Sequence, residues 1–174
     1  MPYPDEHINM GYGDADRVFS AFGGKQYDVG FRFSKSHNCY MLDFSASFMD
    51  PALADRLPKS FHNPDNSLTY QDACQYFDDM MDAFTSAYGA PAEADLNPVL
   101  TDVTVERLEK GYGEGNYAIW TIDNGTHSSV LSLSARPHPD AYTNDTLRTL
   151  SIHVCVGQTI SDVTLDNILD CLSV

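Results

Sequence analysis

The chain has 174 residues, 43% of them hydrophobic, with 25 acidic side chains against 10 basic ones and a formal net charge of −15. That length builds a core hiding about 70% of the unfolded surface without disulfide staples, and that apolar content excludes a disordered chain. A field of this sign repels phosphate backbones, which disfavours direct nucleic-acid binding relative to a cationic partner, a metal ion or simple solubility.

Residues 1–13 read as an irregular lead-in broken by Pro2, Pro4, Gly11 and Gly13. MPYPDEHINM carries neither a basic region nor an apolar run, and no stretch reaches membrane-spanning length, so the expectation is a cytoplasmic protein with no membrane partner. Asp14 to Phe22, closed by Gly23-Gly24, predicts a short helix. From Tyr27 the period changes to two, with Val29, Phe31 and Phe33 sharing one side. After a turn near Lys35-Ser36, a second strand runs from His37 to Phe48. There Tyr40, Leu42, Phe44, Ala46 and Phe48 alternate with Cys39, Met41, Asp43, Ser45 and Ser47, and the short connection implies an antiparallel hairpin. Asp50 to Asn66, punctuated by Pro51, Pro58 and Pro64, reads as a loop holding one helical turn.

Leu68 to Gly89 is the stretch that declares its structure most plainly. Tyr70, Ala73, Cys74, Phe77, Met80, Met81, Phe84, Ala87 and Tyr88 recur at the three-and-four spacing that gathers one helical stripe. Asp72, Gln75, Asp78, Asp79, Asp82 and Ser86 fall on the other side. Thr69 is the expected N-cap, with Asp72 in a capping-box relation, and Gly89 then Pro91 end the helix.

Val99 to Leu108 reads as a strand from the alternation of Val103 and Val105 with Thr104 and Glu106, and Gly111, Gly113 and Gly115 turn the chain. Asn116 to Asp123 and Thr126 to Ala135 form a hairpin through Asn124-Gly125, the pair that best tolerates a type I′ turn. Arg136 to Asp145 reads as a loop. Leu147 to Val156 is a strand with Leu150, Ile152, Val154 and Val156 on one face and Thr149, Ser151, His153 and Cys155 on the other. Ser161 or Asp162 caps a final helix with Leu165, Ile168, Leu169 and Leu172 inward. Strands with one apolar face imply an antiparallel sheet wet on one side and covered by helices on the other. The expected architecture is a single α+β domain over residues 1–174. It has two layers: a mostly antiparallel sheet of five to seven strands, with one long central amphipathic helix and a C-terminal helix on one face.

No GxSxG, HExxH or CxxC motif occurs, so no catalytic residue is nominated and the chain reads as non-enzymatic. Two His-x-Cys pairs stand out, His37 with Cys39 and His153 with Cys155. Residues two apart on a strand project together, so each pair offers zinc a nitrogen and a thiolate, and neighbouring strands would bring four ligands together. A Cys39–Cys155 disulfide is a lesser option, while Cys74 and Cys171 read as buried thiols. The acidity has an address: no Lys or Arg occurs from Ser60 to Glu106, a span that includes Asp65, Asp72, Asp78, Asp79, Asp82, Glu93, Asp95, Asp102 and Glu106. Asp78 and Asp82 form a like-charge pair that opposes the helix. The leading expectation is a protein-interaction domain that binds a basic protein surface through Asp72, Asp78, Asp79 and Asp82, as an inhibitor or nucleic-acid mimic of a nucleic-acid-binding protein would. It needs no cofactor. The alternatives are a zinc-binding domain using the two His-x-Cys pairs, and a small hydrolase or transferase without a recognisable motif.

Overall fold

The computed structural model describes residues 19–33, 39–57, 63–97, 99–109, 116–123, 128–140, 142–143 and 145–158. The strands are β1 (Phe19–Ala21), β2 (Lys25–Phe33), β3 (Cys39–Met49), β4 (Glu93–Asp95), β5 (Asn116–Asp123), β6 (Ser128–Pro139) and β7 (Leu147–Gln158). They pair antiparallel throughout in one sheet of order β1-β2-β3-β7-β6-β5-β4. The described helices are α1 (Pro51–Ala54), α2 (Tyr70–Tyr88) and α3 (Val105–Glu109), with 3-10 turns at Pro64–Asn66 and Leu100–Asp102. This is the expected two-layer α+β architecture. No described helix is long and apolar enough to cross a membrane.

Cross-strand register stacks the apolar face in rows, Phe48–Leu150–Pro137, Ala46–Ile152–Ala135 and Phe44–Val154–Leu133, with Trp120 opposite Leu131. Helix α2 lays Ala73, Cys74, Phe77 and Met80 on that surface, and all four are buried. Each large side chain so removed from water contributes about 1.5–3 kcal/mol, which is what fixes the helix to the sheet. Polar tips on this side find partners: Trp120 Nε1 donates to the Gly89 carbonyl at 3.0 Å, and the Tyr27 and Tyr76 hydroxyls meet at 2.8 Å. Thr69 caps α2, its hydroxyl oxygen accepting from the Asp72 amide at 3.1 Å and its proton going to the Asp72 carboxylate at 2.7 Å. Gly89 ends the helix at a positive φ of 86°.

Several expectations are corrected. Of the helix expected over Asp14–Phe22, residues 14–18 lie outside the described residues, and Phe19–Ala21 are strand β1 instead. Phe22, Gly23 and Gly24 take positive φ and reverse the chain, so that β1 pairs with Lys25–Tyr27 rather than coiling on itself. Val99 to Leu108 is not a strand. Leu100 and Val103 turn inward through the 3-10 turn, and the Thr104 hydroxyl accepts from the Arg107 amide at 3.3 Å to start α3. The fourth strand is instead Glu93–Asp95, whose three side chains are all exposed and so carry no apolar pattern to read.

The expected loop at Arg136 is strand as far as Pro139. Among the described residues β5 begins opposite Ala135, and the end of β6 that holds the prolines pairs with β7 only. The β5–β6 register sets Asp123 opposite Ser128, whereas a two-residue Asn124-Gly125 turn would set it opposite Thr126. Ala87 and Tyr88, placed on the apolar stripe, are exposed where α2 overruns its cover. The second face of the sheet is not uniformly wet either, since Met41 and Val130 are buried in a row flanking Gly157, which adds no side chain between them. The Lys35-Ser36 turn, the Gly111–Gly115 turn, the Asn124-Gly125 turn, Cys171 and the C-terminal helix lie outside the described residues.

Candidate functional site

Helix α2 is clamped by its buried side, so its polar side has one direction in which to face. Asp72, Asp78, Asp79 and Asp82 are all exposed there. Asp72 is engaged with Thr69, and Gln75 Nε2 donates to Asp79 at 2.9 Å, which leaves both charges intact. Partial burial of the Asp78 carboxyl, together with the negative charges of Asp82 and Asp79, pushes its pKa above the usual carboxylate value. Three of the described cations are engaged elsewhere. Arg148 pairs with Asp50 at 3.2 Å and with Asp140 at 3.8 Å, and Arg56 pairs with Asp140 at 3.5 Å. Lys25 donates to the Asp65 backbone carbonyl. Among the described residues no ion pair reaches the four helix carboxylates.

A second constellation lies on the opposite face of the sheet. Register lines up Asp43–Cys155–Ser132, Ser45–His153–Ser134 and Ser47–Ser151–Arg136 across β3, β7 and β6. All nine are polar, and His153 stands at the centre. The Cys155 thiol donates to Asp43 Oδ1 at 3.3 Å, and His153 Nδ1 lies 3.7 Å from the same oxygen. Alongside, Ser151 Oγ is 3.2 Å from Ser47 Oγ and 3.1 Å from His138 Nε2. Burial, with Arg136 and His153 nearby, holds the His138 pKa below the ordinary imidazole value and favours its neutral form.

Strands β3 and β7 are neighbours, as convergence of the two His-x-Cys pairs requires, but the register does not bring the pairs together. Cys155 is opposite Asp43, four positions along β3 from Cys39, or about 13 Å at roughly 3.3 Å per residue. That span also exceeds the reach of a disulfide. His37 lies outside the described residues. Cys74 is buried beneath α2 as expected, and desolvation is the main cause pushing its thiol up to about 11. The residue that sequence reasoning missed is Asp43. Its signal was an acid inside a strand otherwise made of apolar residues and serines, on the same side as the cysteine and histidine pattern. No family model, curated protein or solved structure matches the chain.

Proposed function

We propose that this chain is a non-enzymatic protein-interaction domain whose acidic helix face receives a cationic protein surface. Asp72, Asp78, Asp79 and Asp82 stand in for the phosphates of a nucleic acid, so that the domain inhibits a nucleic-acid-binding protein by occupying its basic groove. The observation that carries this reading is the side of α2 on which four exposed carboxylates share one surface, while Arg56 and Arg148 pair with acids elsewhere. Like charges held together on a rigid support oppose folding slightly and favour any partner that brings positive charge to them.

The test is capture of a partner from the source organism at low ionic strength, followed by titration of that complex with salt and with a D78N/D79N/D82N variant. Affinity is expected to fall steeply with salt and to drop at least tenfold in the variant. A complex indifferent to both changes refutes the proposal.

A further inference from the structure

Asp43, His153 and Cys155 hold two of the three donor-to-donor contacts that a tetrahedral zinc ion sets among its ligands. His153 and Cys155 are two apart on β7 and leave the sheet from one face, while Asp43 is directly across from Cys155 on β3. Asp43 Oδ1 is 3.3 Å from Cys155 Sγ and 3.7 Å from His153 Nδ1. Bonds of about 2.3 Å to sulfur and about 2.0 Å to nitrogen and oxygen, at the tetrahedral angle, place donors roughly 3.3–3.5 Å apart. The carboxylate oxygen is therefore near ligand spacing from both the thiol and the imidazole. Among the described residues no three His, Cys, Asp or Glu side chains already surround a metal position, so the imidazole must turn to complete the set.

We propose that rotation of the His153 ring toward the thiol completes the set and that Asp43, His153 and Cys155 bind zinc on the face of the sheet opposite α2. His153 and Asp43 give the ion access from solvent, being 44% and 25% exposed, and Cys155 is buried beside them. Gly30, opposite Asp43 on β2, puts no side chain beside the carboxylate, where a Cβ would come within 3.6 Å of the Asp43 Cβ. Imidazole with thiolate selects zinc over calcium or magnesium, and a chain of net charge −15 concentrates divalent cations around itself. On binding, the Cys155 thiol proton leaves to solvent as the sulfur–metal bond forms, so affinity falls with acidification. Three protein donors leave the fourth position to water.

The full chain, stripped with a chelator, is titrated with cobalt(II) as a spectroscopic probe and with zinc in competition. One cobalt per chain is expected, with a thiolate-to-metal charge-transfer band that zinc abolishes. The band is lost in C155S and H153A, weakened at least tenfold in D43N, and unchanged in C39S. Because C155S removes a buried thiol, H153A, at an exposed position, serves as the second variant, and circular dichroism identifies folded samples. Folded chain that shows no thiolate band, or a band that survives H153A or disappears in C39S, overturns the site. The acidic helix is untouched by these variants, so the outcome is independent of partner binding.

Discussion

Asp78 sits where helix stability and charge display conflict. Its carboxyl is desolvated on one side and faces Asp82 and Asp79 on the other, and both effects raise its pKa in the folded state. A carboxyl whose folded pKa is raised weakens the fold above that pKa and is neutral to it below the unfolded value of about 3.9. Asp78→Asn is therefore expected to stabilise the protein by about 0.2–0.5 kcal/mol at neutral pH while weakening partner binding. Urea denaturation at pH 7 and pH 4 checks this, with the gain shrinking at the lower pH. Asp140 is the opposite case. The Tyr142 and Thr143 amides donate to it, Arg56 and Arg148 pair with it, and these interactions hold its pKa below the ordinary carboxylate value. Its contribution is present above the unfolded pKa and lost as pH falls through the lowered folded one. Asp140→Asn is thus expected to lower the denaturation midpoint at pH 7, and the difference from wild type is expected to vanish in strong acid. An unchanged midpoint at pH 7 would show that this carboxylate does not anchor its loop.

At the scale of the element, α2 was legible because its causes are local. The cap at Thr69, the stripe from Tyr70 to Phe84 and the glycine stop at Gly89 act within a few residues of one another. Thr69→Ala removes the hydroxyl that serves the Asp72 amide, and is expected to cost about 1 kcal/mol in a denaturant titration. A cost near zero would mean that the Asp72 side chain caps the helix unaided. Elsewhere, elements were misread where tertiary contacts outvoted local pattern. Val103 and Val105 alternate as strand residues do, yet Val103 packs inward from a turn while Thr104 caps α3. Glu93–Asp95 has no apolar residue larger than alanine and becomes a strand through its pairing with β5 alone. Pro137, in the stretch read as a loop, joins β6 through its pairing with Leu150 of β7, and among the described residues no β5 residue lies opposite it.

Across the whole molecule, carboxylates are spread over both layers, and helix α2 groups four of them on one support. The far face of the sheet carries Asp28, Asp43, Glu93, Asp95 and Asp123 among its serines, His153 and Cys155. A field of net charge −15 acts at range, so partner association is expected to slow with added salt more than dissociation quickens. Stopped-flow measurement on the captured complex distinguishes this from a contact held mainly by apolar burial. From the sequence alone came the buried stripe of α2 from Ala73 to Met80, the apolar faces of β2, β3 and β7, and the acidity of the helix surface. All of these follow from periodicity and from the charges of neighbours along the chain. Only the tertiary structure decided which strand residues meet. Periodicity says which face a side chain takes, whereas register depends on pairing between residues such as Asp43 and Cys155, 112 positions apart. That pairing kept Cys39 from Cys155 and set Asp43 beside Cys155 instead.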